Sequence, residues 1–333
     1  MPPIRGEDSV ANRVIRRPFG PRSRRTSCAW RRACVGGRPV SAGLYPSAYA
    51  GTIHGMTSTE SRACVWVLET EIFSDGHERL AEAVRASGGE VVRFRDDWLV
   101  DDSWPALRGR PVVFHGSLGN AAVVNGRTGW RPGAFCDVEA FRCSSWYPRA
   151  APWLLNRTWV SSTVAELSNR TDEVLAALGS PSRVFVRPDS PLKPFSGRVV
   201  AREAISPKAL DHRFYYDDLD LPILVAPVRE VGREWRFVIV EGRVVAGSAY
   251  DADTRSALPD DPEGEARRHA QRIASELSPP EDVYVMDIGE SGGELRLVEL
   301  NPWSGADLYA CDRAAVVEAV SELVRRTSRG GSG

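Results

Sequence analysis

The chain has 333 residues and a mass of 36.6 kDa, with 42% hydrophobic residues, 26% charged residues and a formal net charge of −1. This length and balance are typical of a globular protein with two or three packed lobes. No segment approaches the roughly 18 uninterrupted apolar residues that a membrane-spanning helix requires, which excludes an integral membrane protein.

The six cysteines form no CxxC pair and have no histidine at zinc-site spacing. Their pattern favours reduced thiols in a cytoplasmic protein. Lysine occurs only at Lys193 and Lys208, so nearly all of the 43 basic residues are arginines. A lysine in such a sequence is therefore a candidate for a specific role.

Residues 1–55 differ in charge from the rest of the chain. They contain ten arginines against only Glu7 and Asp8, and they lack apolar periodicity, so we expect this basic segment to be disordered. Three origins stay open. The segment is upstream sequence translated from a start codon misassigned before Met56, an arm that binds nucleic acid non-specifically, or an Arg-rich transit peptide.

Residues 56–125 are expected to form an open α/β lobe. Its strands and helix are predicted at Ala63–Leu68, His77–Ser87, Glu90–Phe94 and Pro111–Phe114. The last strand runs into a loop of small residues that begins with His115. Open α/β sheets bind ligands at such strand ends, so His115 is a candidate substrate residue, with a packing histidine as the alternative.

Residues 126–160 are rich in aromatic residues and proline and have weak periodicity, which predicts an irregular connection that packs between lobes. Asn156 and Arg157 are candidates for the lining of a cleft, with surface positions as the alternative. Helical spacing then returns and predicts one helix over Ser162–Leu178.

Two cations flank a loop in the next stretch. An apolar strand, Val184–Val186, is followed by Arg187, and a loop containing proline, serine and glycine carries Lys193. Basic side chains across such a loop can bind the oxygens of a polyphosphate. The alternative is that both are solvated surface residues, because the glycine pattern is neither a Walker A loop nor a GxGxxG motif.

The predicted strand Glu234–Val240 alternates polar and apolar residues. Glu234 and Arg236 therefore share one face, while the apolar residues face the core. A carboxylate here can accept hydrogen bonds from ribose hydroxyls, and the arginine can reach phosphates or a developing anion. Charge pairing across neighbouring strands is the alternative.

A hairpin is predicted from Val283–Ile288 and Glu294–Leu300, which are joined by a glycine-containing loop. An antiparallel register places Asp287 opposite Glu299, with Asn301 two residues further along the same face. Carboxylate and amide oxygens are the ligands that Mg²⁺ prefers. The alternative is an ordinary surface hairpin with polar residues on its solvent face.

In this order, the segments over about Val184–Pro302 resemble the ATP-grasp fold of carboxylate–amine ligases. The ExN sequence that ends the second hairpin strand is the most specific part of the resemblance. Arg187 stands where most members have lysine, which is similar to a poorly characterised bacterial clade. The resemblance implies an α/β (α+β) protein, in which two α+β lobes at residues 161–327 hold ATP between them and the open α/β lobe precedes them.

The resemblance also implies a role for each matched residue, with ATP and Mg²⁺ or Mn²⁺ as cofactors. The implied contacts are Arg187 and Lys193 to phosphates, Val228 and Glu230 at the adenine hinge, Glu234 to the ribose, Arg236 to the γ-phosphate or acyl phosphate, and Asp287, Glu299 and Asn301 to the metal. Lys193 and Arg236 are the implied catalytic residues.

The activity implied is an ATP-dependent ligase that activates a carboxylate as an acyl phosphate and joins it to an amine. The alternatives are a non-catalytic ATP-binding regulatory module and an ATP-dependent phosphotransferase. We expect small-molecule or peptide substrates, no specific nucleic acid, no membrane and a cytoplasmic location, with the oligomeric state open.

The segment that follows Asn301 is a candidate for substrate contact through Ser304, Asp307 and Tyr309, with packing as the alternative. A closing helix is predicted over Asp312–Arg326, and residues 328–333 are expected to be a disordered tail.

Overall fold

The computed structural model describes residues 63–70, 72–73, 77–210, 218–252, 254, 256–258 and 264–330. All of these residues belong to the same compact unit. The predictions for residues 1–55, and for the beginning of the first lobe up to residue 62, lie outside the described residues, as does the end of the predicted tail at 331–333.

A four-stranded parallel sheet with the order β2-β1-β3-β4 forms the first lobe. Its strands are β1 (Val65–Leu68), β2 (Glu90–Arg93), β3 (Pro111–His115) and β4 (Arg131–Gly133), and its helices are α1 (Glu78–Ala86), α2 (Asp97–Asp101) and α3 (Leu118–Arg127). Every residue of β1 and β3 is buried, as expected for strands covered on both faces. The predicted βαβ opening is confirmed, whereas α2 and β4 were not predicted.

A second, antiparallel sheet has the order β5-β8-β6-β7. Its strands are β5 (Val160–Thr163), β6 (Arg183–Pro188), β7 (Arg198–Ala201) and β8 (Pro222–Pro227), and it is joined by the short helices α5 (Val164–Asn169) and α6 (Thr171–Ala176). The prediction of one helix over Ser162–Leu178 was wrong. Pairing with β8 holds the first residues as a strand, and the chain breaks again at Arg170, whose φ and ψ are −128° and 40°.

A third sheet has the order β11-β10-β9-β12-β13. Its strands are β9 (Glu234–Val240), β10 (Arg243–Asp251), β11 (Ser256–Ala257), β12 (Val283–Ser291) and β13 (Glu294–Pro302), and the helices α7 (Glu265–Glu276) and α8 (Arg313–Gly330) accompany it. The predicted hairpin is confirmed as β12–β13. Its strands are longer than expected because Gly292 and Gly293, with φ of 60° and 78°, form the turn on their own.

Helix α8 corrects the prediction for the C-terminus. It continues to Gly330, although a disordered tail was expected from residue 328. Apolar residues of α8, including Val316 and Val320, pack into the same core cluster as Trp66 of β1. The cluster anchors the helix, which the sequence pattern alone did not extend so far. Among the described residues, no helix is long and apolar enough to cross a membrane.

Residues 126–160 are more regular than the irregular connection that was predicted. They include β4 and a helix, α4 (Cys143–Ala150). Asp189, which follows β6, accepts hydrogen bonds from Ser144 N (2.7 Å) and Ser144 Oγ (2.9 Å) at the start of α4. This cap comes from a distant part of the chain, so local periodicity could not reveal the helix.

The end of the same connection covers the edge of β13. The N–H of Leu155 donates to the carbonyl of Leu297 (2.9 Å), and the N–H of Leu297 donates to the carbonyl of Trp153 (2.8 Å). An uncovered edge strand would expose unpaired backbone groups to other chains. The connection therefore satisfies the outer edge of the third sheet.

The segment after β13 packs against the first lobe. The Ser304 hydroxyl oxygen lies 3.1 Å and 2.9 Å from the carbonyl oxygens of Phe114 and Ala134. The N–H of Gly305 donates to the carbonyl of Gly116 at 2.6 Å. A β-carbon on Gly305, whose φ is +82°, would lie 2.4 Å from the nearest side-chain atom of Leu118. This position requires glycine for both its conformation and its close approach.

We expect Gly305→Ala to lower the free energy of unfolding by about 1–3 kcal/mol more than Gly109→Ala, measured by urea denaturation. The control is matched because Gly109 has a φ of +81° but no atom within 4 Å of an added β-carbon. Backbone strain is thus common to both variants, and the clash with Leu118 is not. Equal losses in the two variants, or no relief of the extra loss by Leu118→Ala, would contradict the packing described.

Candidate active site

Arg236, Asp287 and Glu299 occupy paired positions on three adjacent strands. The pairing of β9 with β12 places Arg236 opposite Asp287, and that of β12 with β13 places Asp287 opposite Glu299. The register predicted for the hairpin is confirmed. Asn301 follows two residues later on β13, and its Nδ2 donates to Asp287 Oδ2 at 3.1 Å. The three oxygen-bearing side chains of the hairpin therefore lie together on one face.

Arg236 and Asp287 form a two-pronged ion pair. Nε of Arg236 lies 2.8 Å from Oδ1 of Asp287, and Nη2 lies 2.8 Å from Oδ2. The remaining Nη1 donates to the carbonyl of Asp307 at 3.0 Å. Only 7% of Arg236 and 2% of Asp287 is exposed, so each charge depends on the other for compensation. This is the cross-strand pairing that the sequence offered as an alternative.

Glu299 is held by two cations from the second sheet. Arg187 Nη2 contacts Glu299 Oε1, and Lys193 Nζ lies 3.0 Å from Glu299 Oε2. The ammonium of Lys193 also donates to Asn301 Oδ1 at 2.9 Å. The cluster contains three cationic side chains, with Arg236, and only two carboxylates. Its excess positive charge suits an anion with several negative oxygens.

The hairpin residues offer a metal ion two carboxylates and one amide oxygen. Such a donor set fits a hard divalent cation, which usually completes its coordination with water or phosphate oxygens. In the described part of the chain, no group of three or more His, Cys, Asp or Glu side chains could hold a metal ion. The candidate set at Asp287, Glu299 and Asn301 therefore depends on the asparagine.

A cavity lies between the second and third sheets, beside this cluster. Its lining from the second sheet includes Phe185, Arg187, Lys193, Phe195, Gly197 and Val199, and its lining from the third sheet includes Glu234, Tyr250, Val298 and Glu299. The segment that joins the two sheets contributes Val228, whereas Glu230 is exposed and lies outside this lining. The cavity thus combines an apolar and aromatic surface with the charged cluster.

Several lining residues were not singled out from the sequence. Asn156 lines the cavity, which was one of its two predicted positions, while Arg157 is exposed and donates to the carbonyl of Pro152 at 3.0 Å. Tyr147 of α4 lies 3.5 Å from Arg187 Nη1 through its hydroxyl. Tyr250 donates its hydroxyl hydrogen to Glu234 Oε2 at 2.8 Å. The alternation of Ser248 and Tyr250 on β10 was the only available signal for Tyr250.

His115 is placed in the interior of the first lobe. It is 1% exposed, its Nδ1 lies 2.6 Å from Nε2 of His77, and its ring packs against Phe73 and Trp303. Burial, with the nearby His77 and Arg313, lowers the pKa of His115 well below its ordinary value. These contacts favour the packing alternative over substrate contact.

The three candidates after Asn301 have different surroundings. Ser304 is fully buried between lobes and contacts two backbone carbonyls, as described above. Asp307 is 9% exposed, and its Oδ1 accepts a hydrogen bond from the N–H of Tyr309 at 2.9 Å. Tyr309 is partly exposed and stacks on Tyr250. Tyr309 is therefore the most accessible of the three.

Residues 154–319 match a family model described as an ATP-grasp domain, family 2 of its clade. The chain is a member of the ATP-grasp superfamily. Its second and third sheets form the ATP-grasp fold, as the sequence resemblance implied. No curated protein sequence matches the chain, so the assignment rests on the family model and on shared structure.

Solved ATP-grasp structures share this fold at low sequence identity. D-cycloserine synthetase DcsG is 15% identical, with a TM-score of 0.58 over 79% of this chain and 100% of that chain. A RimK domain ATP-grasp protein from Sphaerobacter thermophilus is 14% identical, with a TM-score of 0.52 over 79% and 99%. D-alanine–D-alanine ligase from Bacillus anthracis, complexed with ATP, is 13% identical, with a TM-score of 0.51 over 80% and 99%.

The buried histidine pair predicts acid sensitivity. Because the folded-state pKa of His115 is lowered, the unfolded chain binds protons below about pH 6.5 that the folded chain does not. The free energy of unfolding should therefore fall as the pH decreases from 6.5, by up to about 1.4 kcal/mol per pH unit for one such group. Urea denaturation between pH 5 and 7 measures this slope.

The control for this prediction is His115→Asn, which should have a shallower slope than the parent protein whatever its absolute stability. Comparing slopes cancels the opposite contribution of buried acids such as Glu281, whose pKa burial raises to about 8. Identical slopes in the two proteins would show that His115 is not the group that takes up the proton.

Proposed function

We propose that the chain is an ATP-dependent ligase that activates a carboxylate as an acyl phosphate and joins it to an amine. The observation that carries the proposal is the charged cluster beside the cavity, in which Arg187 and Lys193 from one sheet meet Glu299 from the other. ATP-grasp membership supports ATP as the ligand of a cavity between these two sheets.

The nucleoside would bind at the apolar part of the cavity. Phe185, Val199 and Val298 supply surfaces for a flat base, and the backbone near Val228 supplies hydrogen-bonding groups at the junction of the two sheets. Glu234 lines the same cavity and is held by the hydroxyl of Tyr250. Its carboxylate is suited to accept hydrogen bonds from ribose hydroxyls.

The phosphates would bind at the cationic end of the cluster. Arg187 and Lys193 now share Glu299, and the phosphate oxygens offer them stronger acceptors. Asp287, Glu299 and Asn301 would hold Mg²⁺ or Mn²⁺, which supplies charge compensation for the phosphates when it is bound. The residues fit both ligands, because cationic and anionic side chains alternate across the cluster.

The reaction would proceed in two transfers. An oxygen of the substrate carboxylate attacks the γ-phosphorus, the bond to the bridging oxygen breaks, and ADP leaves with that electron pair. The amine then attacks the acyl carbon, the bond to the phosphate oxygen breaks, and the amine loses a proton as the amide forms. Lys193 and Arg187 would offset the charge in the first transfer, and Arg236 would hold Asp287 in place.

The substrates would be a small molecule or a peptide that carries the carboxylate, together with an amine. Two of the structurally similar proteins are named as a synthetase and a ligase of small molecules, which supports this class. The cysteines Cys64, Cys136, Cys143 and Cys311 are free and buried, which supports a reducing, cytoplasmic location. The proposal requires neither a nucleic acid nor a membrane.

We expect the full chain with Mg²⁺ and ATP to release both ADP and phosphate when the correct carboxylate and amine are present in pooled amino acids and small carboxylates. Glu299→Gln should reduce this turnover by at least about 100-fold, because it removes a charge that the cluster requires. Glu294→Gln is the matched control, since Glu294 lies on the same strand, is exposed and pairs locally with Arg296.

The products separate the alternatives. Release of ADP without free phosphate would indicate a phosphotransferase. Tight binding of ATP without turnover in any pool would favour a non-catalytic regulatory module. Failure to bind ATP at all would contradict the proposed function.

Arg187 provides a sharper test of the phosphate site. Its guanidinium contacts Glu299 and also lies near the hydroxyl of Tyr147, two contacts that a lysine could not make together. We expect Arg187→Lys to raise the KM for ATP by about 10-fold with a smaller change in kcat, in steady-state ADP-release assays. Tyr147→Phe is the control and should change KM less than about 2-fold, because the Arg187–Tyr147 distance of 3.5 Å is long. The opposite ranking would overturn this assignment.

A further inference from the structure

Tyr250 contacts two different parts of the site with two different parts of its side chain. Its hydroxyl donates to Glu234 Oε2 at 2.8 Å, inside the cavity between the sheets. Its ring stacks on the ring of Tyr309, with centroids 4.7 Å apart and planes inclined by 9°. Only 6% of Tyr250 is exposed, so both contacts are shielded from water.

Tyr309 belongs to a tightly constrained segment. Its φ is +46°, a conformation that a bulky residue rarely adopts without support. Its N–H donates to Asp307 Oδ1 (2.9 Å), its carbonyl accepts from Arg313 Nη2 (2.8 Å), and the N–H of Ala310 donates to Ser248 Oγ (3.2 Å). The segment Asp307–Ala310 is therefore held in one conformation by side chains from β10 and α8.

Arg236 reinforces the stacked rings. Its guanidinium carbon lies 5.4 Å from the ring centroid of Tyr250 and 5.1 Å from that of Tyr309. The edges of the same guanidinium bind Asp287 and the carbonyl of Asp307. The stack thus lies against the ion pair of the candidate metal site and cannot move independently of it.

The phenol of Tyr250 acts as a hydrogen-bond donor. Burial raises its pKa well above the ordinary value, and the neighbouring Asp287 and Glu234 carboxylates act in the same direction. The neutral phenol therefore donates to the Glu234 carboxylate and fixes the position of Oε2. Phenylalanine would preserve the ring and remove only this hydrogen bond, whereas leucine would remove the aromatic stack as well.

We propose that Tyr250 is a positioning residue for both sides of the reaction: its hydroxyl orients Glu234 towards the nucleotide, and its ring holds Tyr309 and the segment Asp307–Ala310 on the acceptor side. The first half rests on the proposed function, because it requires ATP in the cavity. The second half concerns the conformation of the segment and can be measured without any substrate. Together they connect nucleotide binding to the order of the segment next to the metal ligands.

Two measurements test the proposal on the full-length protein. Calorimetry gives the Kd of a non-hydrolysable ATP analogue with Mg²⁺, and hydrogen exchange monitored by NMR or by mass spectrometry of short peptides follows the amides of Tyr309 and Ala310. These amides are suitable probes because both are hydrogen-bonded within the segment. The buried strand Val65–Leu68 is the internal reference for overall stability.

We expect Tyr250→Phe to raise the Kd of the analogue roughly tenfold, because a hydrogen bond to a charged group is lost, with segment exchange unchanged. Tyr250→Leu should raise the Kd similarly and also accelerate segment exchange at least about tenfold relative to the reference strand. Tyr309→Leu should accelerate exchange alike and leave the Kd within about twofold.

A Tyr250→Phe protein that binds the analogue as tightly as the parent would overturn the role of the hydroxyl. Unchanged segment exchange in Tyr250→Leu would overturn the role of the ring, and equal acceleration in the reference strand would show only a general loss of stability. If the parent protein does not bind the analogue, the proposed function fails, but the exchange measurements still decide the role of the ring.

Discussion

The active-site architecture depends on keeping buried charges paired. Arg236 and Asp287 are both almost fully enclosed, and an isolated charge in such a place would cost several kcal/mol. Their pairing requires β9 and β12 to lie side by side in one register. The next strand, β13, then brings Glu299 into the same row, where it needs positive charge from elsewhere. That requirement is met by Arg187 and Lys193 from the second sheet.

The cavity follows from this arrangement of charges. Two sheets that meet through ion pairs at one end leave a space between their facing surfaces, and aromatic and aliphatic side chains line the remainder of it. Tyr250 belongs to both regions, because its hydroxyl contacts the cavity carboxylate Glu234 and its ring lies against Arg236. Specificity for the nucleotide and order on the acceptor side are therefore built from the same few strands, which makes single substitutions there far-reaching.

The sequence predicted the parts of the site that depend on local spacing. Asp287 and Glu299 could be paired correctly because a short glycine turn fixes the count between two strands. It did not reveal helix α4, because the cap from Asp189 comes from a distant segment, nor the burial of Ser304, which depends on docking of the first lobe. The partner of Tyr250 was invisible for the same reason. Contacts between distant segments have no local periodicity.

The connection between the first lobe and the ATP-grasp sheets has a mechanical consequence. It is hydrogen-bonded to Asp189 beside β6 through Ser144, and its far end is hydrogen-bonded to β13 through Trp153 and Leu155. One continuous stretch of chain is thus fastened to both walls of the cavity. Any widening of the cavity would stretch this tether or break its hydrogen bonds. The two walls consequently behave as a stiff clamp, in which a ligand is exchanged mainly through rearrangement of side chains and loops.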